Sequence, residues 1–200
     1  MTHHRYPDSL TKLILFFKKL PGVGRKTAER YAFELLDWKK EEVLDFSKSL
    51  ESFTKRINRC SECNCIKENV CLFCTDKKRD PSTLLILSSA KDVYFFEETN
   101  MHNGIYHILD HLINPIEGKG PNEIGIDKLL NRLETCPVKE IVIALDATLE
   151  ADATALYLKK ALEKKEISLS RLAFGIPMGS SLEQVDEGTL TRALLGRSKF

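Results

Sequence analysis

Four cysteines placed as Cys60-x2-Cys63 and Cys71-x2-Cys74 carry the clearest chemistry in this 200-residue chain. Two residues between paired thiolates let both sulfurs reach one tetrahedral centre, and a zinc ion there keeps the thiolates ionised. Four cysteines leave no open position for a substrate, so the expected cofactor is one structural zinc, folding a segment too small for a core of its own. Six cysteines are too few for a disulfide scaffold, and MTHHRYPDSL lacks the long apolar run of a secretory segment, so bridged pairs are the weaker reading. Cys65 and Cys136 stand outside the pattern. Cys65 could compete for the metal, and both also fit ordinary free thiols in a reducing compartment.

A second chemistry is offered by Leu20-Pro21-Gly22-Val23-Gly24, followed by Arg25, Lys26 and Arg30. Two glycines so close together allow a tight turn and a near approach of another chain. The amides of Gly22 to Lys26 then open a helix whose unpaired N–H groups and positive dipole end favour a phosphate. This is the composition of a helix-hairpin-helix motif, which grips a DNA backbone without reading bases. Two plainer readings stay open: a helix-helix turn whose glycines only permit close packing, and a hairpin turned to dimer contacts.

The third candidate is acidic. Glu140-Ile-Val-Ile-Ala-Leu145 reads as a buried strand, and its end delivers Asp146, then Glu150 and Asp152 at the start of a helix. In open α/β sheets ligands bind at that edge, and three carboxylates there could hold magnesium or meet a partner. Equally, acidic side chains cap a helix N-terminus and complement its dipole. A phosphoryl-transfer metal site also wants a carboxylate on the neighbouring strand, where the chain has Ser88 and Ser89; Asp92 begins the next helix and fits a cap.

The elements that must position these groups follow from periodicity. Leu10, Leu13, Ile14 and Phe17 share one helix face behind Asp8 and Ser9 as candidate N-caps, and Ala28, Tyr31, Ala32 and Leu35 make a second helix. Val43, Phe46, Leu50, Phe53 and Ile57 make a third stripe, so residues 1–58 read as a small helical unit. Lys77-Lys78-Arg79-Asp80-Pro81 reads as a charged hinge. Beyond it, β-rich runs at Thr83 to Leu87, Tyr106 to Leu109, Glu140 to Leu145 and Leu169 to Phe174 alternate with helical segments at 91–98, 127–134 and 150–165. Strands alternating with helices predict parallel pairing in an open α/β sheet covered on both faces. The tail after Gly175 is turn-rich and closes with a short helix from Asp186 to Leu195.

Charge is divided along the chain. The net value is +1, yet residues 1–60 hold 13 Lys and Arg against 8 Asp and Glu. A polyanion is therefore expected to meet the first unit, although a solvated charged helix face gives the same count. No stretch approaches membrane-spanning length, which predicts a cytoplasmic protein with no membrane partner.

In this order the motifs resemble the RecR family of bacterial recombination mediators, essentially end to end. LPGVGRKTAERYAFELL is similar to the family's helix-hairpin-helix, the four cysteines to its zinc finger, and RDPSTLLIL to its entry into a Toprim domain. NGIYHILDHLINPIEGKGPNEIGIDKLLNRL, ADATALYLKK and GIPMGSSLEQVDEGTLTRALLGR resemble its middle segment, its EATALYL stretch and its tail. The resemblance implies an α/β multidomain chain: a helix-hairpin-helix DNA-binding domain at 1–58, a four-cysteine zinc finger at 59–78, a Toprim domain with an open parallel sheet at 82–177, and a C-terminal tail at 178–200.

It also implies a non-enzymatic DNA-repair factor that forms a ring-shaped homo-oligomer, a dimer or a tetrameric ring, and works with RecO and RecF to load RecA on single-stranded DNA. Lys26 and Arg30 match the family's hairpin cations, and Arg25 stands where proline is common. Three departures bear on function. Ser88 replaces the usual Toprim glutamate, Asp146-Ala-Thr-Leu-Glu-Ala-Asp152 replaces Asn-Pro-Thr-Val-Glu-Gly-Glu, and Gly179-Ser180 partly replaces a Gly-Gly. The altered acids make magnesium a doubtful cofactor and loosen the expected acidic contacts with RecO. They also count against the rival reading, a magnesium-dependent Toprim enzyme. A third reading is a structural subunit whose hairpin serves dimerisation. Lying between a basic unit and an α/β domain, the zinc is expected to fix how the two face each other.

Overall fold

The computed structural model describes residues 6–197; residues 1–5 and 198–200, at the two ends of the expected domains, lie outside the described part. The chain forms two compact units, Met1–Arg56 and Ile57–Phe200, and the cysteine window belongs to the second.

The first unit holds α1 (Asp8–Phe17), α2 (Arg25–Asp37) and α3 (Lys40–Arg56). Pro7, not Asp8 or Ser9, stands at the N-cap of α1 without a side-chain bond, and Asp8 is the first helical residue, complementing the dipole. Ile14, Ala28 and Ala32 are buried between α1 and α2, with Leu10, Leu13, Phe17 and Val23 packed around them. The two alanines bring the helix backbones close, and edge-on contacts of Phe17 with Tyr31 and Tyr6 with Phe33 close the sides. The third stripe exists but is uncovered. No residue of α3 is buried, and Phe46, Leu50 and Phe53 are exposed, the last by 61%.

The second unit begins with a short hairpin, β1 (Asn58–Arg59) and β2 (Ile66–Lys67), followed by α4 (Leu72–Thr75). Then come β3 (Asp80–Leu87), α5 (Asp92–Thr99), β4 (Gly104–Ile108), α6 (Ile126–Thr135), β5 (Glu140–Ile143), α7 (Leu149–Leu162), β6 (Ser168–Arg171) and α8 (Glu187–Leu195). The sheet is four-stranded and parallel throughout, in the order β4-β3-β5-β6. One face packs Leu84, Ile86, Ile141 and Ile143 against Leu129 of α6 and Ala151, Ala155 and Leu158 of α7. The other packs Leu85, Leu87, Tyr106 and Ile108 against Val93 of α5 and against Cys60, Cys63, Cys65, Cys71 and Phe73. The cysteine segment thus fills, on that face, a place a helix would otherwise take.

Two local readings change. Asp80 and Pro81 are the first residues of β3 rather than a hinge, with Asp80 opposite Gly104 and a register shift before Leu84. Proline, which cannot donate to a ladder, is tolerated at such an irregular strand start. Gly104 is required there because a Cβ would collide with the carbonyl of Thr83. β5 and β6 are also shorter than the apolar runs suggest, since the ladder closes at Ile143 opposite Arg171, while Ala144 and Leu145 stay buried beyond it.

Candidate metal centre and nucleic-acid surface

The loop between β1 and β2 turns at Asn64, whose left-handed φ of 59° is one that asparagine tolerates. Its amide donates to the carbonyl of Cys60 (2.9 Å), and the Cys60 amide donates to the carbonyl of Cys65 (2.8 Å), which folds Cys60 and Cys63 back on each other. Cys71 stands at the N-cap of α4 and Cys74 lies within that helix. The four Sγ atoms all lie within 4.8 Å of one another. A zinc–sulfur bond of about 2.3 Å puts tetrahedral sulfurs about 3.8 Å apart, so the donor set fits such an ion. Cys65 is fully buried beside them but outside the group, and Cys136 lies elsewhere, packed against the other sheet face. The Cys74 thiol is raised above its ordinary range by its hydrogen bond with Cys63 and by burial, the penalty that a bound cation removes.

The metal loop is joined to the sheet by side chains that spacing did not single out. Asn64 Nδ2 donates to the carbonyl of Ile108 (2.8 Å) and to Asp110 (2.9 Å), and the Ile108 amide donates to the carbonyl of Cys63 (2.9 Å). Arg132 of α6 donates to the carbonyl of Tyr106 and points Nη2 at Cys74 Sγ, 3.8 Å away. The separation of 58 positions between Arg132 and Cys74 left no sequence pattern to reveal this pairing.

In the first unit, Gly22 has φ +76°, and among the described residues nothing lies within 4 Å of where a Cβ would stand at Gly22 or Gly24. Gly22 therefore serves the turn, and the space beside both glycines is open. Gly24 is the N-cap of α2 and offers no side-chain cap. The amides of Arg25, Lys26 and Thr27 have no intrahelical acceptor, as in any first turn. Lys26 and Arg30 are exposed, and the Arg30 guanidinium lies 5.7 Å from the Tyr31 ring centre. Arg25 differs from them, because its Nε is paired with Glu29 at 2.9 Å.

The acidic residues do not converge. Among the described residues, the four cysteines are the only group of three or more ligand-type side chains within 4.8 Å. Thr148, not an acid, caps α7 by accepting from the Ala151 amide. Asp152 is gripped by Arg171 (2.6 Å) and Arg192 (2.7 Å), whose guanidinium groups both stack on Phe174. Its carboxyl is held below the usual range by Arg192 and then by Arg171. Asp152 is thus a tie between α7, β6 and α8 rather than an open ligand. Asp146 comes near Asp92, whose carboxyl is raised by burial and then by Asp146.

The Asp152 tie makes a testable prediction. Asp152→Asn is expected to free the tail, with cleavage between 175 and 186 by a dilute protease several-fold faster; an unchanged cleavage rate would refute it. Because the native carboxyl is depressed, its stabilisation is present above the ordinary pKa of about 4 and is lost as pH falls through the lower native value. The wild-type tail should therefore loosen only in acid.

Comparison with known proteins fits this geometry. The model described as "RecR, helix-hairpin-helix" matches residues 10–54, a Toprim domain model matches 82–173, and "RecR, C-terminal" matches 175–198. The chain is 47% identical over 197 residues to the recombination protein RecR of Protochlamydia amoebophila, covering 98% of this chain and 100% of that one. The chain belongs to the RecR family. RecR proteins of Chlamydia pneumoniae and Staphylococcus saprophyticus are 44% and 41% identical, each match covering 98% of this chain and 99% of the relative. The RecR helix-hairpin-helix match contains the open turn and the start of α2, and the RecR C-terminal match contains Arg192 and α8. No helix among the described residues is long and apolar enough to cross a membrane.

Proposed function

We propose that the chain is a cytoplasmic, non-enzymatic recombination mediator that binds DNA as a ring-shaped homo-oligomer and acts with RecO and RecF to load RecA on single-stranded DNA. The observation that carries the DNA reading is the start of α2: an open glycine turn, uncapped amides, and Lys26 and Arg30 exposed beside them. Helix N-termini and cations of this kind bind backbone phosphates and leave base edges unread. Gly22, Gly24, Lys26 and Arg30 are the proposed contacts, with Arg25 shared with Glu29. Cys60, Cys63, Cys71 and Cys74 hold structural zinc in this reading.

Assembly is supported by α3, whose apolar stripe is uncovered in the single chain and suits a second copy. A mediator that makes and breaks no bond is supported by Ser88 at the end of β3 and by the double ion pair of Asp152, which leave Asp146 and Glu150 for partner contacts. Light scattering of the purified chain is expected to give a dimer or tetramer. RecA should begin hydrolysing ATP on strands coated with single-strand-binding protein when RecO and this chain are both present. Leu50→Glu with Phe53→Glu is expected to give a monomer and lose the stimulation. A monomeric wild type, or magnesium-dependent DNA cleavage lost on Asp146→Asn, would sink the proposal.

A further inference from the structure

The metal centre and Arg132 each lack something that the other supplies. Four thiolates around a divalent zinc carry two net negative charges, and this set is largely buried, with Cys60, Cys63 and Cys71 in the core. Buried charge of that kind needs N–H donors or a cation. Arg132 is only 7% exposed, and among the described residues no carboxylate is in an ion pair with it. A guanidinium, always protonated, is strongly unfavourable in such a place without a counter-charge. Its Nη2 faces Cys74 Sγ at 3.8 Å, its Nη1 donates to the carbonyl of Tyr106, and its Nε has no partner.

That carbonyl belongs to the edge of the sheet. β4 is an outer strand, and an open outer strand invites pairing with other chains. Here three of its carbonyls and one of its amides are bonded from outside the sheet. Gly104 accepts from Arg79, Tyr106 from Arg132 and Ile108 from Asn64, while the Ile108 amide donates to the carbonyl of Cys63. Three of these four bonds come from the metal loop or from the arginine that faces its ligand.

We infer that Arg132 is a positioning residue for the metal: it orients and neutralises the Cys74 thiolate while holding β4, so that metal occupancy and closure of the sheet edge depend on each other. The inference rests on the zinc reading. Outer hydrogen bonds to metal ligands typically change affinity 10–100-fold.

The test starts from the full-length protein as purified, with metal per chain measured by elemental analysis. One zinc per chain admits the test; no metal would overturn the zinc reading and this inference with it. Arg132→Met keeps the length and removes the charge, and is expected to release zinc to a chelator 10–100-fold faster. The thiolate-to-metal charge-transfer band of its cobalt(II)-loaded form should shift, and deuterium exchange over residues 104–109 should rise. Arg132→Lys keeps the charge but cannot span both acceptors, and is expected to release zinc at an intermediate rate. A folded Arg132→Met protein with wild-type release and an unchanged cobalt band would overturn the inference. Should that variant fail to fold, wild-type release and band in Arg132→Lys would overturn it equally.

Discussion

Cys63→Ser is expected to abolish metal binding at the four-cysteine site and to unfold the α/β unit, rather than to loosen a peripheral finger. The reason lies in which side chains the cysteines touch. Cys60, Cys63, Cys65, Cys71 and Phe73 share one core with Leu85, Leu87, Tyr106 and Ile108, the inner residues of β3 and β4. Without the metal, the remaining cysteine side chains lose their common partner, the loop at Asn64 loses its anchor, and one face of the sheet loses its cover. Loss of a structural metal belongs to the large-effect class of changes, on the order of 4 kcal/mol or more. Since domains are stable by only about 5–15 kcal/mol, most of the native margin would go. Thermal unfolding and metal content of Cys63→Ser, beside wild type treated with a strong chelator, check this. Light scattering should report loss of the assembly in both samples. A metal-free protein with wild-type melting and unchanged mass would refute the expectation.

The second large effect is on DNA. Lys26→Glu with Arg30→Glu is expected to weaken binding at least about tenfold for unrelated DNA sequences alike, and to lower the slope of log affinity against log salt by about 2, one per lost phosphate contact. Arg25→Gln should do much less, because Glu29 already holds that guanidinium at 2.9 Å. Fluorescence anisotropy from about 50 to 200 mM salt, on two unrelated sequences, gives both quantities. Equal wild-type affinity at both salt concentrations would remove the phosphate reading. Unchanged affinity in the double variant, together with a broken oligomer, would assign the hairpin to assembly instead.

These two effects differ in how far each could be read from the chain. The hairpin was legible because its determinants are local: Gly22 and Gly24, the residues after them, and a helix start within one turn. The structure then separated Arg25 from Lys26 and Arg30, a distinction set by a side chain four residues further along the helix. The acidic cluster was legible as residues but not as an arrangement. Asp152 stands two residues after Glu150, yet its partners Arg171 and Arg192 come from β6 and α8. The stripe of α3 was equally plain, while its exposure could only be seen once α1 and α2 had packed against each other without it.

By itself the sequence determined whatever repeats over a few residues: the four-cysteine donor set, the alternation of strands and helices, the parallel sheet that this alternation requires, and the open glycine turn before α2. Local spacing suffices there because sulfur reach, helix period and turn geometry act within a few bonds. Tertiary structure alone decided that the metal segment forms part of the α/β core, that Arg132 reaches Cys74 from 58 residues away, and that Asp152 is a tie instead of a ligand. Each of these depends on which groups are desolvated together, and burial is a property of the packed chain.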